Sequence, residues 1–362
     1  MHEVPKAKLR ERGANPRQGT KVVIKLKIRT ISIIMKTNKI LNKRINVNEL
    51  TVLVPSIKRN TKMFKTKPLI EQHFHGGFGV DFNTASTDEI LVLSEKLYTL
   101  GIGGIFPTIM TDEISNIKRQ IANIKSAAKK QTSKMARILG VHLEGIFLNS
   151  KKKGIHNDKL FLMPTVENFK KVEDEIIKIV TLAPELDLGL IDYLRSKNVK
   201  VQAGHCMGGN LEKIDGVTHL FNAMGKIHHR NTQTALTALI SDNLYTEIIA
   251  DGVHLSDDIL KLIFKTKPLE KILLISDSLP VTKSNLTEMV FAGKEIFYDG
   301  KKATSKDGTL AGSTKLLPDI IKILGEKELF NPVLIDNPYI YHGFTTDKFI
   351  EIDDEFNISA VK

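Results

Sequence analysis

Histidines and carboxylates standing at the ends of apolar runs carry the chemistry of this sequence. His73 and His75 are two apart in Gln72-His73-Phe74-His75-Gly76, and on an extended strand that spacing turns both imidazoles to one face, where they can approach a single cation. Glu144 closes Val141-His142-Leu143-Glu144; a carboxylate directly after an apolar strand is costly unless solvated or paired with a cation. His205 and His219 add neutral nitrogen donors, and a set of Glu and His suits zinc or another divalent transition ion better than magnesium or calcium. Three protein ligands leave an open position for a water whose pKa falls toward ~7. Asp277, in Leu274-Ile275-Ser276-Asp277-Ser278, is placed to take that proton and pass it to a leaving group. Taken singly, each residue has a plainer reading, a hydrogen-bonded core histidine or a helix-capping aspartate. Their common position at strand ends argues for a shared site.

Those positions follow from the elements that carry them. From residue 69 onward, short apolar runs alternate with segments of helical period, the pattern of strands and helices around a parallel sheet. Eight runs are read: Leu69–His75, Gly101–Thr108, Ala136–Glu144, Ile176–Pro184, Val199–His205, Val217–Asn222, Tyr245–Asp251 and Lys271–Asp277. Helical segments are expected at Thr87–Leu100, Asp112–Lys130, Glu185–Lys197, Thr232–Asp242 and Ser256–Lys265, several opening on a Ser, Thr or Asp suited to an N-cap. Eight such units predict a (β/α)₈ TIM barrel over residues 69–330, whose active site forms at the C-terminal ends of the strands.

The 362 residues are 41% hydrophobic and 26% charged, enough for a substantial core and a polar surface. Disorder and a disulfide-stapled miniprotein are excluded, and no stretch approaches the ~18 apolar residues of a membrane span. The single cysteine, Cys206, cannot form an internal bridge, which fits a reducing compartment such as the cytoplasm. The net charge of +12 is local: residues 1–70 carry 18 Lys and Arg against 3 Asp and Glu, the remainder 35 against 38. Residues 1–35 therefore read as a basic extension, an arm or an edge strand, or as sequence ahead of a start at Met35. Binding of nucleic acid by such an arm is the lesser reading. The lysines Lys151 to Lys153 read as a solvated face.

Longer motifs sharpen this. The runs His-Phe-His-Gly-Gly-Phe-Gly-Val-Asp-Phe (73–82), His-Leu-Glu-Gly (142–145), Lys-Lys-Gly-Ile-His (152–156), Gly-His-Cys (204–206), Thr-His-Leu-Phe-Asn-Ala-Met (218–224), His-His-Arg (228–230), Ala-Asp-Gly-Val-His (250–254), Ser-Asp-Ser (276–278) and Leu-Ala-Gly-Ser (310–313) resemble the N-acetylglucosamine-6-phosphate deacetylases of the amidohydrolase superfamily. The resemblance implies a metal-dependent hydrolase barrel flanked by a small β-sandwich from the two chain ends, here residues 36–68 and 331–362. It implies Glu144, His205 and His219 as ligands of the main ion, zinc first, with a second ion open to His73 and His75. It implies Asp277 as general base and acid, and His156 against the acetamide carbonyl. Asn222, Ala223 and His254 would bind the sugar phosphate, and Leu310 would close around the acetyl group. Arg230 would reach the phosphate of a neighbouring subunit, which implies a homodimer.

The sequence also departs from that pattern. Ile146 stands where proline usually follows His-Leu-Glu-Gly, and Asn231-Thr232-Gln233 replaces Glu-Pro-Gly. The altered loop leaves open a related deacylase acting on another N-acyl amino sugar, and the basic arm leaves open a catalytically inactive metal- or nucleic-acid-binding protein.

Overall fold

Eight strands pair in parallel, each with its neighbour in sequence. They are β1 (Leu69–Phe74), β2 (Ile102–Met110), β3 (Val141–Glu144), β4 (Ile177–Leu182), β5 (Lys200–Ala203), β6 (Gly216–Val217), β7 (Tyr245–Ile248) and β8 (Ile272–Leu274). The computed structural model describes residues 63–231 and 233–362, and these lie in the compact unit Asn60–Lys362. The C-terminal end of β1 meets the segment that follows β8: the Asp277 N–H donates to the His73 carbonyl at 2.9 Å and the His75 N–H to the Ser278 carbonyl at 2.8 Å. The result is a TIM-barrel-like α/β fold, and each of the eight expected runs overlaps a strand, the sixth only at Val217.

The helices form where apolar spacing and caps agree. Thr87–Thr99 starts on a capping box, with Ser86 and Glu89 each bonding the other's backbone N–H, and it buries Ile90, Leu93 and Leu97 against the sheet. Ile114–Lys130, Leu190–Ser196, Thr234–Ile240, Asp257–Thr266 and Leu317–Glu326 cover further strands. The expectation of eight complete βα units fails at one place. Residues 204–215, between β5 and β6, contain no helix, because Gly204, Gly208 and Gly209 interrupt any helical run, and past Cys206 only Leu211 and Ile214 are buried.

Two further features were not read from the sequence. Within the expected barrel span, β9 (Glu288–Phe291), β10 (Lys294–Tyr298), β11 (Ala303–Ser305) and β12 (Leu310–Gly312) form a separate antiparallel sheet. Its first hairpin turns through Ala292 and Gly293, both at positive φ, the geometry of a two-residue hairpin loop. In the C-terminal stretch expected to supply sandwich strands, Val333–His342 is a helix; Pro338 in its middle argues against one by sequence, but the helix packs on β1 and β8. The strand Ile350–Ile352 does pair antiparallel with Phe64–Thr66, and Ile352 bridges Ile358. The basic extension and residues 36–62 lie outside the described residues.

Candidate active site

Glu144 sits at the end of β3 with a different pair of imidazoles facing each carboxylate oxygen. Oε1 lies 2.9 Å from Nε2 of His219 and 3.2 Å from Nε2 of His205. Oε2 lies 3.2 Å from Nε2 of His73 and 3.3 Å from Nε2 of His75. Asp277 Oδ1 stands 3.1 Å from Nε2 of His75 and 3.5 Å from that of His73. The six residues thus form two triads, Glu144 with His205 and His219, and Asp277 with His73 and His75, each with ligand atoms within 4.8 Å of one another. All six are buried.

Backbone geometry aims these side chains. His205 (φ 46°), His219 (φ 29°) and Asp277 (φ 52°) all occupy the left-handed region directly after their strands. Such strain in non-glycine residues gathers where a site demands a particular orientation. After Glu144, the backbone passes Thr111 so closely that a Cβ at Gly145 would lie 2.3 Å from the Thr111 nitrogen, so only glycine fits.

The charges respond to one another. Burial would raise the Glu144 carboxyl, but His73, His205 and His219 hold it well below the usual carboxylate range. Burial opposes a charge on His73, yet Glu144 and Glu247 together hold its imidazole well above its ordinary value. Burial also works against ionised Asp277, and the bond from His75 with the neighbouring imidazoles overcomes it and keeps its pKa lowered. His156 is the contrary case: burial, reinforced by His205, keeps it well below ordinary and therefore neutral.

The donor set fits a divalent cation. Nδ1 of His205 lies 2.8 Å from the Lys152 carbonyl and Nδ1 of His73 lies 3.0 Å from Glu247 Oε2. Both acceptors require an N–H, so in the neutral ring that a cation would bind each Nε2 turns a lone pair to the centre. Nε2 of His205 and Nε2 of His219 are only 3.1 Å apart. Lone pairs converging on a carboxylate at such distances repel unless a proton or a cation lies among them, and nitrogen with carboxylate oxygen is a transition-metal set.

Around this centre opens a cavity of about 480 Å³. His156, Asn222, Ala223, His254 and Leu310 line it together with His75, Glu144, His205, His219 and Asp277. His254 is fixed by Asp251, whose Oδ2 lies 2.9 Å from its Nδ1. Arg230 does not line the cavity of its own chain; it is exposed, its N–H bonded to His228 Nδ1 at 3.2 Å. Lys151 to Lys153, expected as a solvated face, are exposed or half-exposed and also border the cavity, the Lys152 carbonyl lying against His205 Nδ1 and Lys153 pairing with Asp158 at 2.8 Å. The β9–β12 sheet delivers Leu310 to Gly312 to the cavity rim.

Comparison with known proteins agrees with this geometry. The N-acetylglucosamine-6-phosphate deacetylase of Bacillus subtilis is 32% identical over 313 residues, covering 80% of this chain and 79% of the relative. The chain belongs to the N-acetylglucosamine-6-phosphate deacetylase family. Another relative, the N-acetylgalactosamine-6-phosphate deacetylase of Escherichia coli O157:H7, is 28% identical over 257 residues, 68% of each chain. The crystal structure of the N-acetylglucosamine-6-phosphate deacetylase from Thermotoga maritima shares the fold, with a TM-score of 0.73, 24% identity and coverage of 81% of this chain and 85% of that one. The Mycobacterium smegmatis enzyme, in a mutant form with N-acetyl-D-glucosamine-6-phosphate, superimposes with a TM-score of 0.74 at 23% identity, over 83% of this chain and 85% of that one. No family model matches the chain.

Three residues of this deacetylase-family site escaped the sequence reading. Glu247 lies inside an apolar run rather than at its end, and is fully buried against His73. Thr111 follows β2 and bonds His156, 45 positions away. Lys152 acts through its carbonyl, which no side-chain motif encodes. The departure at Ile146 is structural: its φ is 57° and its N–H donates to Thr111 Oγ1 at 3.0 Å, neither of which a proline could do.

Proposed function

We propose that this chain hydrolyses the N-acetyl group of N-acetylglucosamine 6-phosphate to give glucosamine 6-phosphate and acetate. The observation that carries the reading is Glu144, held ionised between two histidine pairs with Asp277 beside one of them, at the wall of a cavity large enough for a sugar phosphate. Glu144, His205 and His219 would hold the main ion, zinc by the chemistry of the set, and His73, His75 and Asp277 offer a place for a second. When bound, such an ion polarises the amide carbonyl and lowers the pKa of a water molecule.

The chain's own groups do the rest. Asp277, kept ionised, accepts the proton of the attacking water and returns it to the departing amine. Neutral His156, which lines the cavity with Nε2 4.0 Å from Glu144 Oε2, donates to the carbonyl oxygen as negative charge grows on it. The backbone at Asn222 and Ala223, with His254, receives the phosphate, and Arg230 grips it from a second copy, a guanidinium matching two phosphate oxygens at once. A homodimer follows. The strands Phe64–Thr66 and Ile350–Ile352 belong to the small sheet domain, residues 69–330 to the catalytic barrel, and the enzyme works in the cytoplasm. Among the described residues no helix is long and apolar enough to cross a membrane.

The kinship with an N-acetylgalactosamine-6-phosphate deacetylase keeps the galacto epimer as the second reading. Turnover of N-acetylglucosamine 6-phosphate, its galacto epimer and its unphosphorylated form separates them. Preference for the phosphorylated gluco sugar is expected; equal rates with and without phosphate would refute the roles of Arg230 and His254.

A further inference from the structure

His73 is distinguished from its neighbours by what holds its far side. Among the described residues, Nδ1 of His75 and Nδ1 of His219 are buried without a hydrogen-bond partner. Nδ1 of His205 has a carbonyl. Nδ1 of His73 has a carboxylate, Glu247 Oε2, at 3.0 Å. The same Glu247 accepts from the Gln72 amide through Oε1 at 2.6 Å, and Gln72 Oε1 lies 3.2 Å from Nε2 of His342. His342 ends the helix Val333–His342 and stands among Leu139, Asn198 and Lys200, at the N-terminal ends of the strands, away from the centre.

Donor rules permit one direction through this chain. An ionised carboxylate only accepts, so Gln72 turns its NH₂ to Glu247 and its carbonyl to His342, which donates from Nε2. His73 must likewise donate from Nδ1, so that a cation displacing the proton from its Nε2 would meet a lone pair there, 3.2 Å from Glu144 Oε2 and 3.5 Å from Asp277 Oδ1. Glu247 also lies 3.4 Å from the His219 N–H, so a single buried carboxylate from β7 touches both triads. Gln72, His73 and Glu247 have no exposed surface, and a bond among such groups is not exchanged for water.

We propose that Glu247 is the positioning residue for an ion held by His73, His75 and Asp277, and that Gln72 and His342 brace it from the far end of the barrel. The proposal rests on the metal centre put forward above. Glu247 fixes the His73 tautomer and supplies the negative charge that makes His73 a stronger ligand. The ion at Glu144, His205 and His219 does not depend on it in the same way, because Glu247 meets His219 only through a long bond from its backbone N–H, at 3.4 Å, and His205 is fixed by Lys152.

The test is a Zn²⁺ titration of the full chain against a chromophoric chelator, with metal counting on the same samples. The wild type is expected to bind two ions per chain. Glu247→Gln keeps the shape and removes the charge. It is expected to weaken the second ion about 10- to 100-fold and leave the first unchanged, since partners of metal-bound histidines have effects of that size. Glu247→Asp should recover part of the loss, and general destabilisation would not remove one ion selectively. A wild type that binds a single ion, or a Glu247→Gln variant that binds both as tightly as wild type, overturns the proposal. Should Glu247→Gln fail to fold, Gln72→Leu removes the donor on Glu247 and leaves every metal-facing nitrogen in place. About threefold or greater weakening of the second ion is then expected, and unchanged affinity overturns the proposal. Acetate release is read separately: a chain that binds two ions and releases no acetate refutes the deacetylase reading and leaves the role of Glu247 standing.

Discussion

Thr111 ties His156 to the backbone of Ile146. Its hydroxyl oxygen accepts the Ile146 N–H at 3.0 Å and lies 2.9 Å from Nδ1 of His156. When the Thr111 hydroxyl turns its own proton to Nδ1, Nε2 of the neutral imidazole carries the hydrogen, the tautomer that the proposed role on the oxyanion needs. The family resemblance pointed to His156; the residue that would make it a donor comes from the turn after β2.

Thr111→Val removes that hydroxyl and leaves the volume. The donor on the developing oxyanion is then unfixed, and kcat is expected to fall about 10- to 100-fold, less than outright loss of such a donor, with KM little changed. Steady-state kinetics check this, and Thr111→Ser should restore most of the rate.

Asp277→Asn tests the base. The amide cannot take a proton from water, so kcat should fall at least about 100-fold. Elemental analysis should still find the ion at Glu144, His205 and His219. Loss of that ion together with activity would make Asp277 a structural residue instead.

Arg230 is exposed and stands off its own cavity, so its proposed role is across a dimer. Arg230→Met and Asp277→Asn chains, each nearly inactive alone, should complement when co-expressed. A mixed dimer holds one site with Asp277 and the unaltered Arg230 of the other chain, and random pairing restores about a quarter of the sites. Recovery of activity supports the trans role; none argues that Arg230 serves its own chain.

Lys267 gives a pH test away from the site. It is 3% exposed, its ammonium donating to the Ala238 carbonyl at 2.8 Å, and burial pushes its pKa down from 10.5 to about 8. The folded chain releases this proton more readily than the unfolded chain. The buried charge therefore costs stability in full below pH 8, and the cost is relieved as pH rises from about 8 toward 10.5. In denaturant melts, the wild type should gain stability relative to Lys267→Met across that window and show no such relative gain between pH 6 and 7.

Much of the site was legible because a barrel puts strand ends in one place: once Glu144, His205, His219 and Asp277 were seen to close apolar runs, their meeting followed from topology. The parts that were not legible act across long sequence distances. Glu247 reaches His73 over 174 positions, and within its own run it reads only as a lone charge among apolar neighbours. The β9–β12 sheet was missed because its strands are short and half-exposed, with Val290 and Phe297 facing outward, so no strong period marks them. The helix Val333–His342 is held by tertiary packing, and local preference at Pro338 points the other way.

Acetate release from N-acetylglucosamine 6-phosphate by the full chain, followed before metal removal, after it and after Zn²⁺ is restored, tests the central claim most directly. The account predicts acetate and glucosamine 6-phosphate in equal amounts, loss of the reaction on stripping, and its return with the ion. Hydrolysis that survives complete metal removal, or a fully loaded chain that leaves the amide intact, would contradict it.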